Sequence, residues 1–286
     1  MTADERILTT SALRVLGPAD LADLQRLLDR DPVRHCFVAS RLHASGMQGW
    51  RLGGEMWGWY EGERLVSACY NGANLVPVDG TPEALFAFAD RARRFGRRCS
   101  SMVGPADEIA ELWRLLAPAW GPAREERMKQ PVMTLSRGPD VEADAFVRVV
   151  GENEVDLILP ACVAMFTEEV GVPPTAGESM HIYRARVAEL VRAGRALARI
   201  ENGVVVFKAE IGAASPQACQ VQGVWVDPRY RGRGLAAPAM AAVARYAHEQ
   251  VAPTVSLYVN DYNTAARLAY RRVGFTEVDT FASVLF

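Results

Sequence analysis

Residues 218–236 read Ala218-Cys-Gln-Val-Gln-Gly-Val-Trp-Val-Asp-Pro-Arg229-Tyr-Arg-Gly232-Arg-Gly234-Leu-Ala236. The apolar run Ala218–Val226 predicts a strand, Asp227-Pro228 turns the chain, and Gly232 and Gly234 stand just before an alanine-rich helix from Leu235 to about Gln250. Glycines there let the backbone approach a ligand closely, and successive N–H groups at a helix start form an anion cradle. Arg229, Arg231 and Arg233 add positive charge around it. The combination points to a binding site for a phosphate or pyrophosphate.

Several phosphate-binding classes are excluded. The loop lacks the G-K-[ST] end of a nucleotide-hydrolysing P-loop, and it lacks G-x-G-x-x-G in an early βαβ unit. With 32 basic and 34 acidic side chains, net charge -2, the chain lacks the basic excess of a dedicated nucleic-acid binder. Five cysteines with no C-x-x-C pair and four histidines without ligand spacing argue against a disulfide scaffold and against a metal site. Gly177-Glu178-Ser179-Met180-His181 is the nearest approach to a serine nucleophile elbow and lacks its second glycine. Only Lys129 and Lys208 are lysines among the 32 basic residues, which reads as coding bias. No apolar run of about 18 residues predicts a membrane span, and Asp4, Glu5 and Arg6 stand where a signal peptide needs its apolar core. A cytoplasmic protein is expected, and a homodimer is left open.

Outward from the loop, the C-terminal half alternates strands and helices. Phe146–Val150 predicts a strand; Pro160–Val170 a helix closed by Gly171; and Ile182–Ala193 a helix stopped by Gly194. Ala196–Glu201 and Val204–Ile211 flank Asn202-Gly203, a strong hairpin signal because both turn positions need positive φ. Ala213–Gln217 predicts a turn, Val255–Val259 a strand, Thr264–Arg272 a helix and Phe275–Phe286 a last strand. The N-terminal half repeats this outline faintly through Leu13–Leu16, Ala19–Leu28, Met56–Tyr60, Arg64–Tyr70, Ala73–Val78, Pro82–Arg93, Cys99–Val103, Ile109–Leu116 and Pro131–Leu135. The polar stretch Ser136–Asp140 with its Gly-Pro reads as a linker, which predicts domains at 1–140 and 141–286.

Arg229-Tyr-Arg-Gly232-Arg-Gly234 resembles the acyl-CoA loop, [RQ]-x-x-G-x-[GA], of the GNAT N-acetyltransferase superfamily. Downstream, Asn260 and Asn263 stand at the family's polar positions, and Tyr270 with Gly274-Phe275 is similar to its A-x-x-x-Y-x-x-x-G-F helix. The resemblance covers residues 145–286. The whole chain resembles two-domain actinobacterial proteins with a degenerate GNAT-like N-terminal domain; Asp79-Gly80-Thr81-Pro82 replaces the glycine loop there. The implied fold class is α/β (α+β): tandem GNAT-like domains, each a mixed, mostly antiparallel sheet flanked by helices.

The resemblance implies an acetyl-CoA-dependent N-acetyltransferase acting on a small amine or a peptide α-amine, with no metal. Val224, Trp225 and Val226 would hold the pantetheine arm and polarise the thioester carbonyl. Arg231, Gly232, Arg233, Gly234, Leu235 and Ala236 would cradle the phosphates, with Asn260 and Asn263 nearby. Tyr270 would protonate the departing thiolate. No carboxylate precedes Asp227 on the strand Ala218–Val226, so Glu210 on the preceding strand and the pair Glu168-Glu169 at the end of the first helix are the available bases, Glu210 with a solvent-facing position as its bland alternative. Glu168 and Glu169 would attract a cationic acceptor, or are simply solvated. A non-catalytic acyl-CoA-binding protein on the same scaffold is the competing reading.

Overall fold

The computed structural model describes residues 12–174 and 179–286; the segment Gly177–Glu178 of the imperfect elbow and the charged Asp4–Arg6 lie outside the described residues. The chain divides into two compact units, one of residues 1–130 and 280–286, the other of residues 131–279.

The first unit contains β1 (Leu13–Val15), α1 (Leu21–Leu28), α2 (Cys36–Ser45), α3 (Gly49–Leu52), β2 (Gly54–Glu61), β3 (Arg64–Gly72), β4 (Asn74–Val78), α4 (Pro82–Phe95), β5 (Ser101–Pro105) and α5 (Ala106–Trp120). Neighbouring strands β1 to β4 pair antiparallel, and β4 runs parallel to β5. Strand β6 (Glu125–Leu135) then leads the chain into the second unit. There follow β7 (Val147–Val149), α6 (Val155–Val170), α7 (Ser179–Arg192), β8 (Ala196–Glu201), β9 (Val204–Ala214), β10 (Ala218–Val226), α8 (Ala236–Gln250), β11 (Thr254–Tyr258), α9 (Thr264–Val273) and β12 (Thr276–Leu285). Strands β7 to β10 pair antiparallel and β10 runs parallel to β11. The strands thus follow the same order in the two units, with three helices, α1 to α3, between the first two strands of the first unit and two, α6 and α7, in the second.

Most predicted elements stand within a few residues of their expected bounds. Helix α6 starts five residues early and accommodates Pro160 in its second turn, and β9 runs on through Ala214 where a turn was expected. Helices α2 and α3 were not expected. The first has a weak apolar stripe, CFVASRLHAS, interrupted by Ser40, Arg41 and His43. At the hairpin, Asn202 (φ 49°) and Gly203 (φ 77°) both take the left-handed conformation that the turn requires.

Each sheet is covered on both faces, because its strands alternate between two cores. In the second unit Leu197, Phe207 and Ile211 pack with α8 and α9, whereas Ala196, Ala198 and Trp225 pack with α6 and α7. Ala237, Ala239, Ala241, Ala244 and Ala247 of α8 are all buried, so small side chains bring that helix close to the sheet.

The compact units depart from the expected boundary at 140/141 in one instructive way. β5 is paired antiparallel by Phe281–Leu285, from the very end of the chain, while β11 is paired by Val132–Leu135, which end the N-terminal half. Each unit therefore takes its last strand from the other half of the sequence. Val132, Met133 and Leu135 are 0, 0 and 2% exposed. Losing three such side chains forfeits roughly 5–9 kcal/mol at about 1.5–3 kcal/mol each, as much as the whole stability of many domains. A chain beginning at Val141 should therefore be unfolded or insoluble, and one beginning at Glu125 should retain a cooperative transition. Thermal melts of the two by circular dichroism check this.

Candidate active site

The cleft of the second unit arises where a strand pair ends. Parallel pairing joins Ala218–Gln220 to Thr254–Ser256 and goes no further. On its other side β10 slips register against β9 between Gln222 and Trp225, with Gly223 at φ 58°. That arrangement is a β-bulge, which bends and twists its strand locally. Beyond the paired stretch lies a cleft of about 500 Å³, within the range of ligand sites. Val224, Trp225 and Val226 form one wall, and α9 forms the other with Ala265, Ala266, Ala269 and Tyr270. The three alanines leave room along that wall, a contribution legible in the run Ala265-Ala-Arg-Leu-Ala269 but missed in the reading above.

The glycine loop closes one end. Asp227 ties the turn: its Oδ1 accepts from the Arg229 backbone N–H (2.9 Å), and its Oδ2 accepts from Arg229 Nη2 (2.7 Å). Gly232 (φ 73°) and Gly234 (φ 77°) are left-handed, and a Cβ built on either would meet nothing within 4 Å. Leu235 caps α8 without a side-chain hydrogen bond, so the first N–H groups of that helix keep no side-chain partner. Gly232, Gly234, Leu235 and Ala236 all line the cleft. An open concavity over positive-φ glycines at an uncapped helix start fits a phosphate group.

The remaining expected residues divide. Arg231 lines the cleft, where its Nε donates to the Val226 carbonyl (2.9 Å) and its Nη2 to Glu168 Oε2 (2.7 Å). Glu168 Oε1 also accepts from Trp225 Nε1 (3.0 Å), a contact that spacing alone did not reveal. Asn263 lines the cleft and caps α9 through Ala266 N–H (3.2 Å). Arg233 stacks its guanidinium over Tyr230 (5.3 Å), and Asn260 donates to the Tyr262 hydroxyl (2.8 Å); neither is among the cleft-lining residues. Glu169 is exposed at the end of α6.

Tyr270 is 6% exposed, packs against Phe275 and reaches the cleft. Burial, with the Glu169 carboxylate adding to it, pushes its hydroxyl above the ordinary tyrosine range. Its hydroxyl therefore stays protonated throughout the neutral range.

Glu210 does not line the cleft. It is buried on β9 against the buried ammonium of Lys208, with the Cys162 thiol 3.7 Å away. Burial pushes its carboxyl up, but Lys208, Arg186 and a hydrogen bond from Gln222 outweigh this and leave it below the ordinary range. Burial pushes Lys208 down, and Glu210 outweighs that too, so both stay charged. An ionised, paired and enclosed carboxylate is a poor proton acceptor. The sequence-derived role of Glu210 as base does not follow from this placement, nor does the solvent-facing alternative. Lys208 was missed because an isolated lysine in an arginine-rich chain carries no signal of burial.

The equivalent place in the first unit is filled from within. Asp79 (φ 48°) and Gly80 precede α4, and Gly80 N–H donates to Glu108 Oε2 (2.9 Å). A Cβ on Gly80 would lie 2.5 Å from Leu85 Cδ2 and 2.9 Å from that same carboxylate oxygen. Thr81 caps the helix with its own hydroxyl, which accepts from Ala84 N–H (3.2 Å). His35 Nε2 lies 3.1 Å from Asp79. The seventh residue of α5 is Leu112, whereas the seventh of α9 is Tyr270.

Comparison with known proteins now bears on this geometry. Residues 176–275 match the Acetyltransferase (GNAT) family, and residues 54–158 match a domain of unknown function, DUF4081. No curated protein matches the chain. Among solved structures, a GCN5-related N-acetyltransferase from Sphaerobacter thermophilus is 17% identical with TM-score 0.61, over 95% of this chain and 94% of that one. A GNAT-family acetyltransferase from Colwellia psychrerythraea is 15% identical with TM-score 0.55, over 96% and 99%. A tandem GNAT protein from the clavulanic acid biosynthesis pathway is 14% identical with TM-score 0.55, over 95% and 97%. At these identities the structures show the tandem fold. Among the described residues, no helix is long and apolar enough to cross a membrane, and no cluster of His, Cys, Asp and Glu could hold a metal.

The buried pair makes a prediction of its own. Lys208→Met leaves a carboxylate unpaired in the core and should cost about 3–5 kcal/mol, whereas Lys208→Met/Glu210→Met should recover most of that. Glu210 is depressed and Lys208 raised, so their contribution is present between the unfolded values of about 4.3 and 10.4. It is lost as pH falls through the folded value of Glu210 or rises through that of Lys208. Urea denaturation of wild type and both variants at pH 7 and at successively lower pH checks the ordering and its loss in acid.

Proposed function

We propose that this chain, whose residues 176–275 match the Acetyltransferase (GNAT) family, transfers the acetyl group of acetyl-CoA to a primary amine in the cleft between β10 and α9. The observation that carries the proposal is the open glycine cradle at the uncapped start of α8, continuous with the end of β10 that β11 no longer pairs and with a protonated Tyr270. Gly232, Gly234, Leu235 and Ala236 hold the pyrophosphate through backbone N–H groups. Val224 to Val226 take the pantetheine arm as a replacement for the strand that β11 no longer supplies. Their backbone N–H groups stabilise charge that develops on the thioester oxygen.

In the reaction the amine nitrogen forms a bond to the acyl carbon as the C–S bond breaks. Tyr270 gives its proton to the leaving sulfur, and the amine's proton passes to solvent. With Glu210 locked to Lys208, the acceptor is best an amine that deprotonates easily. An α-amine of pKa about 8 meets that need better than a lysine side chain near 10.4. The domain boundary of activity is the second unit, with its borrowed strand Val132–Leu135. The first unit is a degenerate copy whose phosphate place is taken by Glu108, and it binds no cofactor.

The competing reading, an acyl-CoA-binding protein without turnover, draws on the same locked Glu210. Free-thiol release from acetyl-CoA across an amine panel separates the two. Tyr270→Phe should lower kcat by about 10²–10⁴-fold with cofactor affinity held; unchanged turnover removes Tyr270 from the chemistry.

A further prediction concerns stoichiometry. Calorimetry of the full chain should give one acetyl-CoA per chain. Gly234→Val, which adds bulk over the cradle and strain of about 1–3 kcal/mol at positive φ, should abolish binding. Two equivalents would contradict the degenerate first unit.

A further inference from the structure

An ion pair between two cleft-lining residues joins the glycine loop to the last turn of α6. Arg231, from the glycine loop, donates from Nη2 to Glu168 Oε2 (2.7 Å), and Glu168 lies in the last turn of α6. Glu168 Oε1 is held in turn by Trp225 Nε1 (3.0 Å). Both oxygens of Glu168 thus accept hydrogen bonds, and the Arg231 guanidinium is anchored by the Val226 carbonyl (2.9 Å). All four residues line the same cavity.

Both partners of the pair are about half exposed, 47% for Arg231 and 45% for Glu168. Exposed pairs in water are weak and are readily exchanged for a stronger partner. A pyrophosphate presents more negative charge than one carboxylate, and it accepts charge-assisted hydrogen bonds from arginine. The carboxylate and the ligand's phosphates therefore compete for one guanidinium.

We propose that Glu168 is an internal competitor for the cofactor, a latch on Arg231 that the incoming pyrophosphate displaces. This rests on the reading of the cleft as an acetyl-CoA site. Displacement leaves Glu168 with Trp225 alone, and a negative charge is uncovered at the end of α6 only after the cofactor has entered. That carboxylate lines the cleft, where it would draw a cationic acceptor in. The cofactor thereby prepares the acceptor side for its second ligand.

The test is a double-mutant cycle read by calorimetric titration of acetyl-CoA into the full chain. Glu168→Gln keeps the shape and the Trp225 hydrogen bond but removes the charge that holds Arg231. It should tighten binding about two- to five-fold, the scale of an exposed ion pair. Arg231→Met should weaken binding. In the Arg231→Met background, Glu168→Gln should change affinity by less than about 1.5-fold, because uncoupled sites add independently. An unchanged or weaker affinity for Glu168→Gln would overturn the latch. So would an equal gain in both backgrounds, which marks general repulsion between carboxylate and phosphate. Wild-type protein that fails to bind acetyl-CoA would overturn the cofactor reading and the latch together; binding without coupling overturns the latch alone.

Discussion

Two parallel strands that part company after three paired residues are the constraint on which the site depends. Past Gln220 and Ser256, β10 has no neighbour on its β11 side, although the sheet continues on its β9 side. Backbone groups at such a fork need other partners. The bulge at Gly223 turns β10 as it leaves β11, and the alanine face of α9 keeps the opening from being filled by side chains. The glycine loop then begins directly where β10 ends. Strand fork, helix wall and anion cradle are consecutive consequences of one interrupted ladder.

The first unit shows what the same topology does without that cradle. Its strands follow the same order, and its parallel pair β4–β5 is shorter still, at two paired residues. Glu108 occupies the loop's N–H group, Thr81 caps the helix and Leu112 stands at the seventh position of the last helix. Fold and chemistry are separable: two copies of one architecture carry different sites because a handful of side chains differ. Burial pushes the Glu108 carboxyl up and the Gly80 N–H draws it back, with the net shift upward, so this internal cap is held at some electrostatic cost.

Local patterns made much of this legible in advance. Asn202-Gly203 and the Arg229–Gly234 loop are short-range devices whose residues must sit where they do, and both stand where the pattern put them. The exchanged last strands could not be read that way. Pro131–Leu135 and Phe275–Phe286 announce themselves as strands, but nothing within them says which strand they pair with, since pairing is fixed by contacts more than a hundred residues away. The Lys208–Glu210 pair was hidden for a related reason. Charged residues two apart on a strand share a face, and only the packing of α6 over that face makes it an interior one. The Glu168–Arg231 contact likewise joins residues 63 apart.

Placing acetyl-CoA in the cleft by crystallography of the full chain tests the central claim most directly. The expected result is one ligand in the second unit, with its pyrophosphate on the N–H groups of Gly232 to Ala236. The pantetheine should run beside Val224–Val226 and the sulfur should lie within hydrogen-bond reach of the Tyr270 hydroxyl. Ligand in the first unit, or in the second with its sulfur remote from Tyr270, would contradict it.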